Sequence, residues 1–334
     1  MVIKTALTEM LGIKHPIIQG GMQHVGIAEM ASAVSNAGGL GILTGLTQPS
    51  PEELRAEIRR TRTMTDKPFG VNLTILPALI PADYDGYVSV VAEEKVAMLE
   101  VAGGSPKKYI GMLHEAGVKV LHKSATLRHA LKAQEAGVDL IEVVGYEASI
   151  AGGRPGDEVG SWVVLAKATS TLKVPVIASG ASATGRQLAA AIAMGAQGIT
   201  MATRFLCTVE APIHQKVKEH MIKPEVDETS TTIVLSSLSN STRVFKNEVS
   251  EKMNQLEKDM GGDIDFSKLA PYAAGTRTKK MWKETGDWND SMWSCSQSVG
   301  LIDDIPTCLA LCDRIVAEAE AQLTAGVARV SARL

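Results

Sequence analysis

The stretch 115–144, EAGVKVLHKSATLRHALKAQEAGVDLIEVV, contains the same helix-to-strand junction twice. Glu-Ala-Gly-Val occurs at 115–118 and again at 135–138, and each copy runs directly into a short apolar segment. A glycine at this place is typical of the residue that ends a helix, and the segment after it has the length of a strand buried on both faces. The stretch therefore predicts consecutive helix–strand units.

Similar units extend outward from this stretch in both directions. Eight short β-branched or apolar segments are each followed by enough residues for a helix: 16–19, 40–43, 69–73, 96–101, 118–122, 140–144, 174–179 and 198–201. Eight units fill about 200 residues, the size of a compact (β/α)8 barrel, or TIM barrel. A doubly wound open sheet is the alternative, but it would need fewer strands or a visible reversal of strand order.

The alternation stops after Arg204, which predicts three parts. We expect an α/β barrel over 1–212, an added helical lid over 213–297 that covers the barrel mouth, and a helix over 298–334 that returns to the barrel. The lid segment is polar and helical in pattern, and it ends in a loop that contains Trp282, Trp288 and Trp293.

Composition argues against several classes of function. The 334 residues carry a formal net charge of −3 without a basic block, which indicates neither a nucleic-acid partner nor a membrane partner. No apolar run has the length of a membrane span, and the first residues do not resemble a secretory signal, so we expect a cytoplasmic protein. Cys308 and Cys312 are expected to be buried reduced thiols, and no metal site is predicted.

In a barrel of this kind the active site is built from residues directly after the strands. Gly20 and Gly21 follow the first strand, where they would let the backbone approach a flat ligand or would only form a tight turn. Asn72 follows the third strand and offers an amide to a ligand or to the loop backbone. Lys123 follows the fifth strand, and a lysine there is costly to bury unless it faces an anion; a surface ion pair is the alternative.

Two neighbouring loops predict a phosphate site. Ser179, Gly180 and Ala181 follow the seventh strand, and Ala202 and Thr203 follow the eighth. In this fold the main-chain N–H groups of these two loops commonly hold a phosphate. The loops indicate a phosphorylated cofactor but do not distinguish FMN from a sugar phosphate.

Longer motifs spread over nearly the whole chain carry a family resemblance. They are HPIIQGGM (15–22), SNAGGL (35–40), TQPSP (47–51), PFGVNLT (68–74), HK (122–123), IASG (177–180), TRF (203–205) and GLIDD (300–304). With them the chain resembles the nitronate monooxygenase (2-nitropropane dioxygenase) family of FMN enzymes, and within it the branch of bacterial NADH:quinone reductases.

The resemblance implies a barrel with a helical lid and a set of FMN contacts. The implied contacts are Gly21, Met22, Asn72, Lys123, Gly180, Ala181, Ala202 and Thr203, with Gly20 and Ser179 adjoining them and Gln297 in a late loop that approaches the flavin. Lys123 would stabilise the negative charge that reduction places near N1 and C2=O of the flavin.

The loop after the sixth strand departs from the family pattern. Family members usually carry a histidine there as base or substrate contact, whereas this loop reads GYEASIAGGRPG (145–156), with Arg154 before Pro-Gly. Arginine stays protonated and cannot act as a general base. We therefore expect Arg154 to bind an anion such as a nitronate, a carboxylate or a phosphate; an arginine that only caps the loop is the alternative.

Three FMN-dependent functions follow from these features. The favoured one uses NAD(P)H as co-substrate to reduce FMN, which passes its electrons to a quinone or similar acceptor, and it needs no base. The second is oxidation of alkyl nitronates with O2, and the third is a redox step on a dedicated anionic metabolite. A binding protein without catalysis is disfavoured, because Lys123 and the complete cofactor loops would have little purpose. A small-molecule substrate is expected, and a homodimer is compatible with the sequence.

Overall fold

A closed ring of eight parallel strands forms the centre of the protein. The computed structural model describes residues 3–75, 82–149, 158–238, 241–261 and 264–331. The strands are β1 (Ile17–Gln19), β2 (Gly41–Thr44), β3 (Phe69–Ile75), β4 (Met98–Gly103), β5 (Lys119–Ser124), β6 (Leu140–Val144), β7 (Val176–Ser179) and β8 (Ile199–Met201). β1 pairs with β8, and a parallel bridge between Ile18 and Leu40 brings β1 to the edge of β2. The predicted (β/α)8 barrel is confirmed.

Helices alternate with these strands and surround them. They are α1 (Ala6–Leu11), α2 (Ala28–Asn36), α3 (Pro51–Arg62), α4 (Tyr84–Glu93), α5 (Ile110–Glu115), α6 (Leu127–Ala136), α7 (Ser161–Thr171), α8 (Gly185–Ala193) and α9 (Thr203–Leu206). The predicted junctions form as expected: Gly117 and Gly137 follow α5 and α6 with φ of 80° and 98°. Glycine adopts this left-handed conformation without the steric cost that a Cβ atom brings.

An apolar layer closes the lower end of the barrel, where the strands begin. Successive residues of a strand point to opposite faces, so every second residue points into the barrel. The inward side chains of this layer form one cluster with α1: Leu7, Leu11, Ile18, Ile42, Met98, Leu121, Leu140 and Ile177. Two residues further along the strands, the inward positions are polar. The barrel is therefore filled below, and its chemistry lies at the upper end.

The segment after the barrel contains a small sheet as well as helices. Its helices are α10 (Gln215–Met221), α11 (Glu248–Met260), α12 (Phe266–Ala273) and α13 (Gly275–Lys280), and its strands β9 (Thr231–Val234) and β10 (Thr242–Phe245) form an antiparallel pair. This pair was not predicted, because β9 is half-exposed and rich in threonine and therefore lacks the apolar signal of the barrel strands. Val234, Val244, Met253 and Leu269 form a separate small core here.

The last helix, α14 (Cys308–Ser331), packs on α8. A Cβ atom on Gly185 would collide with the main-chain carbonyl of Ile315, so only glycine permits this close approach. The carboxylate of Glu318 accepts a hydrogen bond from the N–H of Gly185 at 2.7 Å. Within the part of the chain that the structure describes, no helix is both long and apolar enough to cross a membrane.

Candidate active site

A polar layer lies directly above the apolar layer of the barrel. The inward positions of β3, β4, β5, β6 and β8 carry Asn72, Glu100, Lys123, Glu142 and Thr200. The strand register places Asn72 beside Glu100 and Lys123 beside Glu142. The two-residue period that buries aliphatic side chains below therefore brings two acids and one base together at the barrel mouth.

Lys123 is held between two buried carboxyl groups. Its Nζ lies 2.7 Å from Oε1 of Glu100 and 3.3 Å from Oε1 of Glu142. Both glutamate side chains are completely buried, whereas 23% of the Lys123 side chain is exposed toward the cleft above. We call Glu100, Lys123 and Glu142 the buried trio. Lys123 was predicted to face an anion, and the anions beside it in this structure are two carboxylates of the protein itself.

Burial and charge oppose each other in the trio. Burial would lower the pKa of Lys123, but the attraction of Glu100 and Glu142 outweighs it and holds this pKa above its usual range, so the amine stays charged. For Glu142, burial raises the pKa more than the ammonium of Lys123 lowers it, and the nearby Glu100 raises it further. The hydroxyl of Thr200 donates to Oε2 of Glu142 at 2.8 Å.

The loop after β1 leaves a shallow floor beside these groups. A Cβ atom on Gly20 would lie 3.0 Å from Cγ2 of Thr200, and one on Gly21 would lie 2.5 Å from Cγ of Asn72. Asn72 donates from Nδ2 to Oε1 of Glu100 at 3.3 Å, which fixes its side chain at this place. A larger residue at either position would therefore reach toward Thr200 or Asn72 and narrow the barrel mouth.

Four main-chain N–H groups at the ends of β7 and β8 lack an acceptor in the part of the chain that the structure describes. Within the described residues, the amides of Gly180, Ala181, Ala202 and Thr203 donate no hydrogen bond to the protein. Amides that point at one space without an acceptor are suited to a phosphate group. Gly180 and Ala181 both have positive φ, 111° and 57°, which turns successive N–H groups toward the same side.

Hydroxyl groups adjoin these four amides. Oγ1 of Thr203 accepts hydrogen bonds from the N–H and the hydroxyl of Ser296, both at 3.0 Å, so its own hydrogen remains free for a ligand. Ser296 lines the cleft, and its Oγ lies 2.6 Å from Oγ of Ser298. The neighbouring Gln297 does not line the cleft; its N–H donates to the carbonyl oxygen of Glu147 at 3.1 Å.

Two connected cavities open above the polar layer. The inner cleft, about 690 Å3 including its open mouth, is lined by the glycines and amides described above, Asn72, Lys123 and Ser296. The outer cavity, about 850 Å3, lies beneath α12 and α13 and has a largely apolar and aromatic wall that includes Met22, Leu206, Trp282, Met292 and Trp293. Gly21, Ser149, Ala202 and Thr203 line both cavities, so the two are continuous.

Among the residues that the structure describes, one titratable side chain lines the outer cavity. His24 has φ of 65°, a strained value for a residue other than glycine, and its N–H donates to Oγ1 of Thr47 at 3.0 Å. Burial lowers the pKa of His24, and the positive charges of Lys279 and Lys283 lower it further. His24 is therefore neutral near pH 7 and lies in a positive electrostatic environment.

Comparison with known proteins agrees with this geometry. The family model described as nitronate monooxygenase matches residues 4–318. The chain belongs to the nitronate monooxygenase family. As a family member it is an oxidoreductase, and its structural neighbours support a flavin-dependent one. The family predicted from the sequence motifs is confirmed.

Two relatives with different names are similar to the chain in sequence. A protein from Rhodococcus jostii named (3aS,4S,5R,7aS)-5-hydroxy-7a-methyl-1-oxo-octahydro-1H-indene-4-carboxyl-CoA dehydrogenase is 32% identical, and the match covers 95% of this chain and 96% of that one. A nitronate monooxygenase from Paraburkholderia phytofirmans is 30% identical over 71% of this chain and 77% of its own. The two relatives are thus named for different reactions.

Solved structures share the whole architecture. FabK from Thermotoga maritima is 33% identical, with a TM-score of 0.87 over 99% of this chain and 100% of that chain. Nitroalkane oxidase from Streptomyces ansochromogenes, at 23% identity, has a TM-score of 0.80 over 96% of this chain and all of its own, which shows a common fold.

Most of the site residues predicted from the sequence lie around the inner cleft. Those that line it are Gly20, Gly21, Asn72, Lys123, Ser179, Gly180, Ala181, Ala202 and Thr203. Met22 lines the outer cavity instead, and Arg154 lies outside the described residues. The roles of these residues, and that of Gln297, stay predictions.

Four residues of the two cavities and the polar layer were not predicted from the sequence: Glu100, Glu142, His24 and Ser296. The two acids could have been noticed, because a glutamate at an inward position of an apolar strand requires a charged partner. Ser296 is brought to the cleft only by the fold of the segment after the barrel, and no local pattern in the sequence indicates it.

The residues present fit an FMN cofactor. The four free amides and Thr203 would hold its phosphate, and the floor at Gly20 and Gly21 leaves room for a planar ring system. Asn72 and Lys123 would supply hydrogen-bond donors to that ring. Bound flavin would provide two-electron hydride chemistry, while the protein binds, orients and shields the reactants.

Proposed function

We propose that this enzyme binds FMN in the inner cleft and exchanges hydride with the acyl group of a coenzyme A thioester in the outer cavity, with NAD(P)H or NAD(P)+ as the second redox partner. The observation that carries this proposal is the continuity of the two cavities, one lined by free amides and the other by apolar and aromatic side chains. An acyl chain or ring requires such a wall next to the cofactor. The proposal corresponds to the third function from the sequence, a redox step on an anionic metabolite.

Charge at the edge of the outer cavity supports a phosphorylated substrate. Lys279 lies on α13 and Lys283 on the turn after it, each next to a cavity-lining residue, Thr278 or Trp282. The positive charges of both lysines lower the pKa of His24. Lys283 donates to the carbonyl oxygen of Pro212 at 3.0 Å and forms no ion pair within the described residues. Coenzyme A carries several phosphate charges, which two exposed lysines can attract.

The relatives support the same substrate class. The Rhodococcus jostii protein, which matches nearly the whole chain, is named as a dehydrogenase of a carboxyl-CoA compound. In such a reaction one hydrogen leaves the substrate as a hydride and the other as a proton. His24, neutral near pH 7, supplies an acceptor for the proton in the outer cavity.

Transfer of electrons from NAD(P)H to a quinone is the second candidate, since the aromatic wall at Trp282 and Trp293 would also accept a quinone ring.

Anaerobic mixing of the FMN-loaded protein with candidate substrates distinguishes the two functions. The protein is reduced with NADH or NADPH, and either an α,β-unsaturated acyl-CoA or a benzoquinone is added; in a parallel arm the oxidised protein receives a saturated acyl-CoA or ethyl nitronate.

We expect the unsaturated thioester to restore the visible flavin absorption, or the saturated thioester to bleach it, faster than the other compounds. Rapid reoxidation by the quinone alone would replace the thioester proposal with the quinone reductase. Bleaching by the nitronate alone would replace it with nitronate oxidation.

A further inference from the structure

We propose that the buried trio holds one exchangeable proton and that Glu142 carries it. Glu142 is thus a positioning residue that sets the charge of the polar layer. Through this proton the reduction potential of the bound flavin depends on pH. The inference rests on the flavin dependence of the enzyme and not on the identity of its substrate.

The number of charges in the trio requires a proton. Two ionised glutamates and one ammonium would leave a net charge of −1 in a layer where both glutamates are completely buried. An uncompensated buried charge is strongly unfavourable, and the usual response is that one group becomes neutral. One carboxyl group of the trio therefore carries a proton when the protein is in its stable form.

The contacts assign this proton to Glu142. Glu100 forms the closer ion pair with Lys123, 2.7 Å against 3.3 Å, and its Oε1 also accepts from Asn72. Oε1 of Glu142 lies farther from the ammonium and, like Oε2 of Glu100, has no hydrogen-bond partner within the described residues. Burial and the proximity of Glu100 both raise the pKa of Glu142, which agrees with this assignment.

The trio is electrostatically separate from other groups. The neighbours of Glu142 on the adjoining strands are Lys123 and Glu100, which are charged, and Ser179 and Thr200, which are neutral hydroxyls. Asn72, on β3, is also neutral. Within the described residues, no further titratable group faces this carboxyl, so its proton responds to Glu100, Lys123 and whatever lies in the cleft above.

The cleft is where the cofactor would add charge. Reduction of a flavin places negative charge on its ring, and a second negative charge on Glu142 would oppose this. Reduction therefore favours the protonated trio, and protonation favours reduction. In the pH range where Glu142 ionises, the reduction should take up one proton from solvent at this carboxyl, in addition to the protons that the flavin itself binds.

The test is a redox titration of the FMN-bound protein against a reference dye at a series of pH values, with wild type and Glu142→Gln compared. We expect the potential of wild type to fall more steeply with pH over a limited range, and that of the variant to lack this range. Below the range the two potentials should agree, and above it the variant should be more positive. Parallel curves, or a more negative variant, would overturn the proposal.

Two further measurements keep the proposal testable if Glu142→Gln binds FMN poorly. Thr200→Val removes a hydrogen bond to Oε2 of Glu142 and should move the steeper range to higher pH. The infrared spectrum of the apoprotein should contain a band of a protonated carboxyl group that Glu142→Gln lacks. An unmoved range in Thr200→Val, or an infrared band that persists in Glu142→Gln, would contradict the assignment to Glu142.

Discussion

Gly21 and Asn72 lie in direct contact across the barrel mouth, where a Cβ atom on Gly21 would come within 2.5 Å of Cγ of Asn72. Gly21→Ala should displace the amide and raise the floor of the inner cleft, so we expect the affinity for FMN to fall at least tenfold, or by about 1.4 kcal/mol. Fluorescence titration of the apoprotein with FMN measures this. Gly111→Ala, on α5 with open space around it, is the control and should bind FMN like wild type.

Ala181 stands in a conformation that favours glycine. Its φ of 57° destabilises the folded state by about 1–2 kcal/mol when the residue is alanine. Glycine removes this strain, but its greater conformational freedom stabilises the unfolded chain by about 0.5–1 kcal/mol. Ala181→Gly should therefore raise the free energy of unfolding by about 0.5–1 kcal/mol without loss of FMN, as measured by urea denaturation. Ala202, with φ of −126°, is the matched position. There the change to glycine should destabilise, and an equal gain at both positions would refute the strain argument.

A substitution at Lys279 tests whether the edge of the outer cavity binds phosphate. Lys279→Glu should raise KM for a coenzyme A thioester about three- to fivefold, because an exposed charge contact is modest in energy. The pantetheine thioester of the same acyl group has no phosphate, and its KM should stay unchanged. Lys67→Glu, before β3 at the opposite end of the barrel, serves as the control. Equal effects on both thioesters would mean that Lys279 contacts no phosphate.

His220 makes the stability of the added segment depend on pH. Its ring stacks on Trp288 with centroids 3.7 Å apart, and neither ring nitrogen has a hydrogen-bond partner within the described residues. Burial lowers the pKa of His220, and the charge of Lys223 lowers it further. Below the ordinary value of about 6.5 the unfolded chain thus binds a proton that the folded protein does not, and the free energy of unfolding falls as pH decreases until the lowered pKa is reached.

His220→Phe keeps an aromatic ring at this place and cannot be protonated. Urea denaturation should show a weaker loss of stability between pH 7 and pH 5 than in wild type, while above pH 7 the two proteins should respond to pH in parallel. If the two proteins lose stability equally in the acidic range, the proton does not bind at His220.

The barrel could be predicted from the sequence because its signals are local. Gly117 and Gly137 mark helix ends within a few residues of each strand, and the cofactor loops follow strands whose order is fixed by the chain. The outer cavity could not be predicted in this way, since it joins residues near His24 to Trp282 and Trp293, which only tertiary packing brings together. The pair β9 and β10 was missed because β9 is half-exposed and carries little apolar pattern.

The polar layer shows why only some of its residues were predicted from the sequence. All of them lie at inward positions within strands, so position alone does not separate them. Asn72 and Lys123 stand in the motifs at 68–74 and 122–123 that carry the family resemblance, whereas Glu100 and Glu142 stand in segments where only apolar packing was expected.

The contacts between α14 and the start of α8 connect the carboxyl-terminal end of the chain to the loop after β7, whose amides are proposed to bind phosphate. The carboxylate of Glu318 accepts a hydrogen bond from the N–H of Gly185, which lies only four residues beyond Ala181. A chain shortened before Glu318 would expose this amide and leave the turn at Gly180 and Ala181 without its support. Colour retained during purification would then report on the integrity of the last helix, even though none of its described residues lines either cavity.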